Sequence, residues 1–78
     1  MVNSNAIKGL MIITGYTQET LAKEMSIAET TLNLKINGKR EFTISEAAKM
    51  GRLLGVKSMD EFGRLFMPEY EEKGERHQ

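Results

Sequence analysis

Seventy-eight residues, with no cysteine, one histidine and eleven acidic against eleven basic side chains, allow a single domain and exclude a disulfide framework or a thiolate metal site. The longest apolar stretch, Gly9 to Ile13, is far too short to span a bilayer, and the amino end lacks the basic segment and long apolar run of a signal peptide, so a soluble cytoplasmic chain is expected. A formal net charge of zero argues against very tight binding driven by charge alone.

Taken along the chain, the pattern predicts an all-α bundle of five short helices and no strand. The first helix runs from about Asn5 to Thr14, with Ile7, Leu10 and Met11 on one face at helical spacing and Gly15 placed to stop it. Gly9 inside it costs about 1 kcal/mol relative to alanine. Thr17 is a good cap for a second helix, Gln18 to Met25, in which Leu21 and Met25 face inward and Glu19 sits near the positive end of the dipole. A turn through Ser26 and Ile27 leads to a third helix, from Ala28 or Glu29 to Ile36, ended by Asn37-Gly38. Between Thr30 and Arg40 the charges are Lys35, Lys39 and Arg40, with no acid, so the positive field is local.

Thr43-Ile44-Ser45-Glu46 has the form of a capping box, with Phe42 and Ala47 at staple positions. The fourth helix it opens is expected to bury Ile44, Ala47, Met50, Leu53 and Leu54 and to end at Gly55. Ser58-Met59-Asp60-Glu61 reads as a second box, opening a short helix that carries Met59, Phe62, Leu65 and Phe66; Pro68 discourages its continuation. The expected division is a domain over 1–68 and a charged, disordered tail over 69–78, where four glutamates stand against Lys73 and Arg76.

The segment Gln18 to Gly38 carries the most information. Two short helices that meet steeply need a small residue where they cross, and Ala22 supplies it, while Ile27 and Leu32 plug the turn and the third helix onto the core. Gln18, Leu21-Ala22, Met25, Ile27, Leu32 and Asn37-Gly38 together resemble the helix-turn-helix of the Cro and lambda-repressor family, the xenobiotic-response-element type. The resemblance covers about Ile7 to Val56, without a gap across the motif, and the small size is similar to that of phage or prophage regulators. The sequence departs from the family at three positions: Ser26 stands where glycine is usual, Ala28 where serine or threonine caps the third helix, and Lys35 where an apolar residue is common.

That resemblance implies a sequence-specific DNA-binding transcriptional regulator, a repressor in the simplest case, that places its third helix in the major groove of an operator as a homodimer. Glu29, Thr30, Asn33 and Leu34 would then face base edges, and Gln18, Lys23, Thr31, Asn37, Lys39 and Arg40 would hold phosphates. Phe62, Phe66 and Met67 are candidates for contact with a second copy, although the same pattern fits core lining. Glu29 is also a good first-turn acid, and Lys39 and Arg40 also favour the negative end of a helix, whether or not DNA is present. No catalytic residues, metal ligands or cofactor are expected: His77 stands alone in the tail, and there is no phosphate-binding glycine loop or apolar carboxylate pair. The competing expectation is a protein-interaction module, such as an antitoxin-like partner, that keeps this fold and holds another protein.

Overall fold

The computed structural model describes residues 2–68; the charged tail expected over 69–78 lies outside them. Five α-helices follow in order: α1 (Ser4–Thr14), α2 (Gln18–Met25), α3 (Glu29–Ile36), α4 (Ile44–Leu53) and α5 (Met59–Phe66). No strand is present among the described residues. α1 begins one residue before the sequence pattern places it, because the Asn3 side chain accepts from the Ala6 amide and extends the first turn.

The helix limits are written largely in local hydrogen bonds. At α2, Thr17 and Thr20 form a reciprocal box: each hydroxyl accepts from the other's amide. At α4 the Thr43 hydroxyl accepts from the Glu46 amide and the Glu46 carboxylate accepts from the Thr43 amide. At α5 only half of the expected box forms. Ser58 Oγ accepts from the Glu61 amide at 3.1 Å, but the Glu61 carboxylate turns to the Lys57 amide, at 3.5 Å, instead of returning to Ser58. Ser26 takes the left-handed conformation, φ 60°, that closes the turn between α2 and α3. That geometry costs a non-glycine residue on the order of 1–2 kcal/mol.

Ile7, Leu21, Leu32, Ile36, Met50 and Leu54 are fully buried and form the centre of one core, closed at one side by Leu65 and Phe66. Gly51 of α4 faces α5: a β-carbon there would lie 3.4 Å from the Phe62 ring, in van der Waals contact. Phe42 packs against the core and meets the Phe66 ring edge-on at 5.4 Å, and Phe62 lies 4.8 Å from the same ring. The amino end is tied down where the Asn3 amide donates to the Leu65 carbonyl at 2.8 Å.

One residue expected inside is outside: Ile44 is 89% exposed, and Met59, at the same place in α5, is 78% exposed. Both are the first residue of their helix. At that position a side chain overhangs the end of the core, whatever the spacing of the apolar residues that follow it.

Candidate nucleic-acid interface

α3 is fastened to the body by one face. Leu32 and Ile36 are fully buried, and Ile27 packs against the core just before the helix begins. At about 100° per residue, Leu32, Lys35 and Ile36 share one side and Thr30, Asn33 and Asn37 the other, while Glu29 falls within about 20° of Ile36 in register and is exposed as the first residue of the helix. Glu29, Thr30 and Asn33 are exposed, and Leu34, beside them, is 41% exposed. Thr31 is half-buried at the margin between the two sides.

The amino end of α3 is open. Ala28 has the extended backbone of a capping residue, but its methyl group makes no cap hydrogen bond. Glu29 provides a first-turn acid beside these unpaired amides.

The carboxyl end is closed. The amides of Asn37, Gly38 and Lys39 donate to the carbonyls of Asn33, Lys35 and Leu34 at 3.1, 3.2 and 2.9 Å. From α1, Ser4 Oγ donates to the Ile36 carbonyl at 2.6 Å, and Lys8 Nζ donates to Asn37 Oδ1 at 3.1 Å. From α4, Glu46 forms an ion pair with Lys35.

That ion pair corrects the sequence reading of the basic segment. Lys35 is buried, its side chain 9% exposed, and its charge is met by a glutamate whose side chain is 22% exposed. It belongs to the inner face of α3 and adds nothing to an outward field. The hydrogen bond from Lys35, helped by the one from the Thr43 amide, holds the Glu46 carboxyl below its ordinary value, against the opposing effect of burial. One carboxylate oxygen thus joins the end of α3 to the start of α4 across the loop that carries Lys39 and Arg40.

Gln18 and Asn33 are brought together. Asn33 Nδ2 donates to Gln18 Oε1 at 3.1 Å, so the first residue of α2 and the outer face of α3 form one polar surface. The Thr20 amide is taken up by the cap, which leaves those of Gln18 and Glu19 without acceptors among the described residues. Lys23 is exposed but lies about 140° around the α2 axis from Gln18, apart from this cluster. Lys39 and Arg40 are exposed. Arg40 also lines an open apolar groove of about 630 Å³, with Glu41, Phe42, Ile44, Phe62, Phe66 and Met67 among its walls. Within that groove Phe66 is buried, Phe62 half-buried and Met67 43% exposed.

Among the described residues no group of histidine, cysteine, aspartate or glutamate is arranged to hold a metal ion. No described helix is long and apolar enough to cross a membrane.

Neither a curated protein nor a solved structure matches the chain. A family model described as Helix-turn-helix does match, over residues 10–62, which takes in the end of α1, all of α2 to α4 and the first half of α5. With the motif geometry of α2 and α3 and a match across most of its length, the chain belongs to the helix-turn-helix family.

Proposed function

We propose that this protein is a sequence-specific DNA-binding regulator of transcription, of the Cro and lambda-repressor type, that reads the major groove with α3. The observation that carries this is the division of α3 itself. Thr30, Asn33 and Leu34 stand exposed on a helix whose opposite face is anchored by Leu32 and Ile36, and Glu29 stands exposed at its first position. A carboxylate accepts from cytosine N4, a carboxamide pairs with adenine, and the threonine and leucine methyl groups suit the thymine methyl. Gln18, hydrogen-bonded to Asn33 and with unpaired amides at the start of α2, adjoins this stripe, the cationic loop of Lys39 and Arg40 follows it, and both supply phosphate contacts. Thr31 and Asn37 add hydroxyl and amide donors, and Lys23 is the most remote member of the set.

One short helix reads only a few base pairs. Useful specificity therefore needs two copies on half-sites about one helical turn apart. Met67 and the half-buried Phe62, at the apolar groove floored by the buried Phe66, are the surface through which a second copy would be held. Occupying an operator would block polymerase, which makes repression the simplest mode of action.

The test begins with selection of duplexes from a random-sequence pool by the wild-type chain. Glu29→Ala should then change which base is preferred at one position of the selected site. Lys39→Ala should weaken binding to all duplexes alike. If neither change alters a measured affinity, this face of α3 does not read DNA. Sedimentation of the wild type and of Met67→Glu, with and without duplex, tests the pairing of two copies.

The exposure of Ile44 and Met67 at the groove favours a second reading, in which another protein is the main partner. A chain that enriches no duplex from the pool and remains a monomer would move the assignment to that reading.

A further inference from the structure

We propose that Lys8, on α1 and outside the helix-turn-helix, is a phosphate ligand that acts as a pair with Asn37 at the carboxyl end of α3. This rests on the DNA-binding reading above and adds a contact that the motif does not contain.

The argument starts from what a phosphate would meet at that end of the helix. Asn37 lies one turn beyond Asn33, on the outward side of α3, where DNA lying along the Glu29-to-Asn33 stripe would place its backbone. A helix carboxyl terminus carries partial negative charge and repels an anion. The amides of Asn37, Gly38 and Lys39 cannot help, because each already donates to a carbonyl of α3. Any donor for a phosphate must therefore come from a side chain.

Asn37 has one to offer. Its Nδ2 donates to the Asn33 carbonyl at 2.9 Å and its Oδ1 accepts from Lys8, so the carboxamide is held in one orientation with a second Nδ2 hydrogen unused. Lys8 is exposed and uses one of its three ammonium donors on Asn37; no carboxylate pairs with it among the described residues. Its place is fixed from below. Ser4, one turn earlier on α1, donates to the Ile36 carbonyl at 2.6 Å, which sets that face of α1 over the end of α3. Two ammonium hydrogens and one amide hydrogen are thus left for an anion on two side chains that touch at the end of the outer stripe, with a positive charge that offsets the helix end.

A merely structural role is the natural rival: Lys8 could serve only to cap α3. The two roles separate in the salt dependence of binding. A phosphate contact contributes about 0.9 to the slope of log affinity against log salt, and a cap contributes nothing. The experiment titrates the full chain, wild type, Lys8→Gln and Lys8→Arg, with a duplex recovered by the wild type from a random pool and with a mixed-sequence control duplex. Thermal melting is recorded for each protein.

Lys8→Gln should lower affinity for both duplexes by a similar factor, with the slope reduced by about 1 per chain. Lys8→Arg should restore most of the slope. An unchanged slope in Lys8→Gln, with or without a lower melting temperature, overturns the proposal while leaving the DNA-binding reading intact. Failure of the wild type to retain any duplex removes both together.

Discussion

The two ends of α3 are built on opposite plans. At the amino end Ala28 caps nothing, and Glu29 and Thr30 are exposed. At the carboxyl end Leu32 and Ile36 are fully buried, Lys35 is buried against Glu46, and α1 reaches across with Ser4 and Lys8. A helix that reads another molecule has two requirements that conflict: its side chains must be free, and its axis must not be. Here the conflict is resolved by position: Leu32, Lys35 and Ile36 fix the axis, while Glu29 and Thr30 in the first turn and Asn33 and Leu34 on the outer side beyond it present the chemistry.

Breaking the anchored end should have the largest effect. Leu32→Ala removes a fully buried side chain from the contact between α3 and the core, at a cost of about 3–5 kcal/mol. For a domain of this size that is a large fraction of the total stability. Chemical denaturation should show a much lower midpoint, and DNA affinity should fall with the folded fraction. A loss below about 1 kcal/mol would mean that α3 is not held where the buried face implies.

The Glu46–Lys35 pair is the next largest contributor. Glu46→Gln keeps a side chain that can serve in the capping box but leaves the Lys35 charge without its partner. With Glu46 partly open to solvent, the cost should be about 1–2 kcal/mol, below that of a fully buried pair. The sign with pH follows from the lowered carboxyl. Its stabilisation is complete above the ordinary glutamate value of 4.5 and is lost as pH falls below it through the lowered value. The stability difference between wild type and Glu46→Gln should therefore be constant near neutral pH and shrink in acid. A difference that does not shrink would show that the ion pair is not its source.

Much of this arrangement was legible in the residues, and what was not has a common cause. The caps at Thr17 and Thr43 are local hydrogen bonds between residues three apart, so the sequence exposes them directly. The inward spacing of Leu21 and Met25 is likewise a property of a single helix. Lys35 was misread as surface charge because its partner lies eleven residues on, in another helix. The signal that could have placed it was its register, three after Leu32 and one before Ile36, which puts it on the buried side. Ile44 falls outside the core it was expected to join because a first-turn residue is buried or not according to what lies beyond the helix end. The contact of Lys8 with Asn37 spans twenty-nine residues and depends on how α1 crosses α3, which no local pattern states. α3 in particular buries a lysine and exposes a leucine, so its apolar and polar residues are barely separated by type.

The smallest expected effect lies at the open end. Ala28 already has the extended backbone of a capping residue, with φ −69° and ψ 147°, so Ala28→Ser adds only a hydroxyl that can accept from the Thr30 or Thr31 amide. No conformational strain opposes the change, and the expected gain is about 1 kcal/mol, read as a raised denaturation midpoint. Lys8, Asn37, Lys39 and Arg40 are untouched by it, so the salt slope of DNA binding should stay at the wild-type value. The contrast with Leu32→Ala is the point of the measurement. A free end that accepts a stabilising cap without loss of binding would show that its openness is not itself needed for the groove, only the exposure of Glu29 and Thr30. A cap that stabilises the fold but weakens binding would instead assign the unpaired amides of that turn to the DNA.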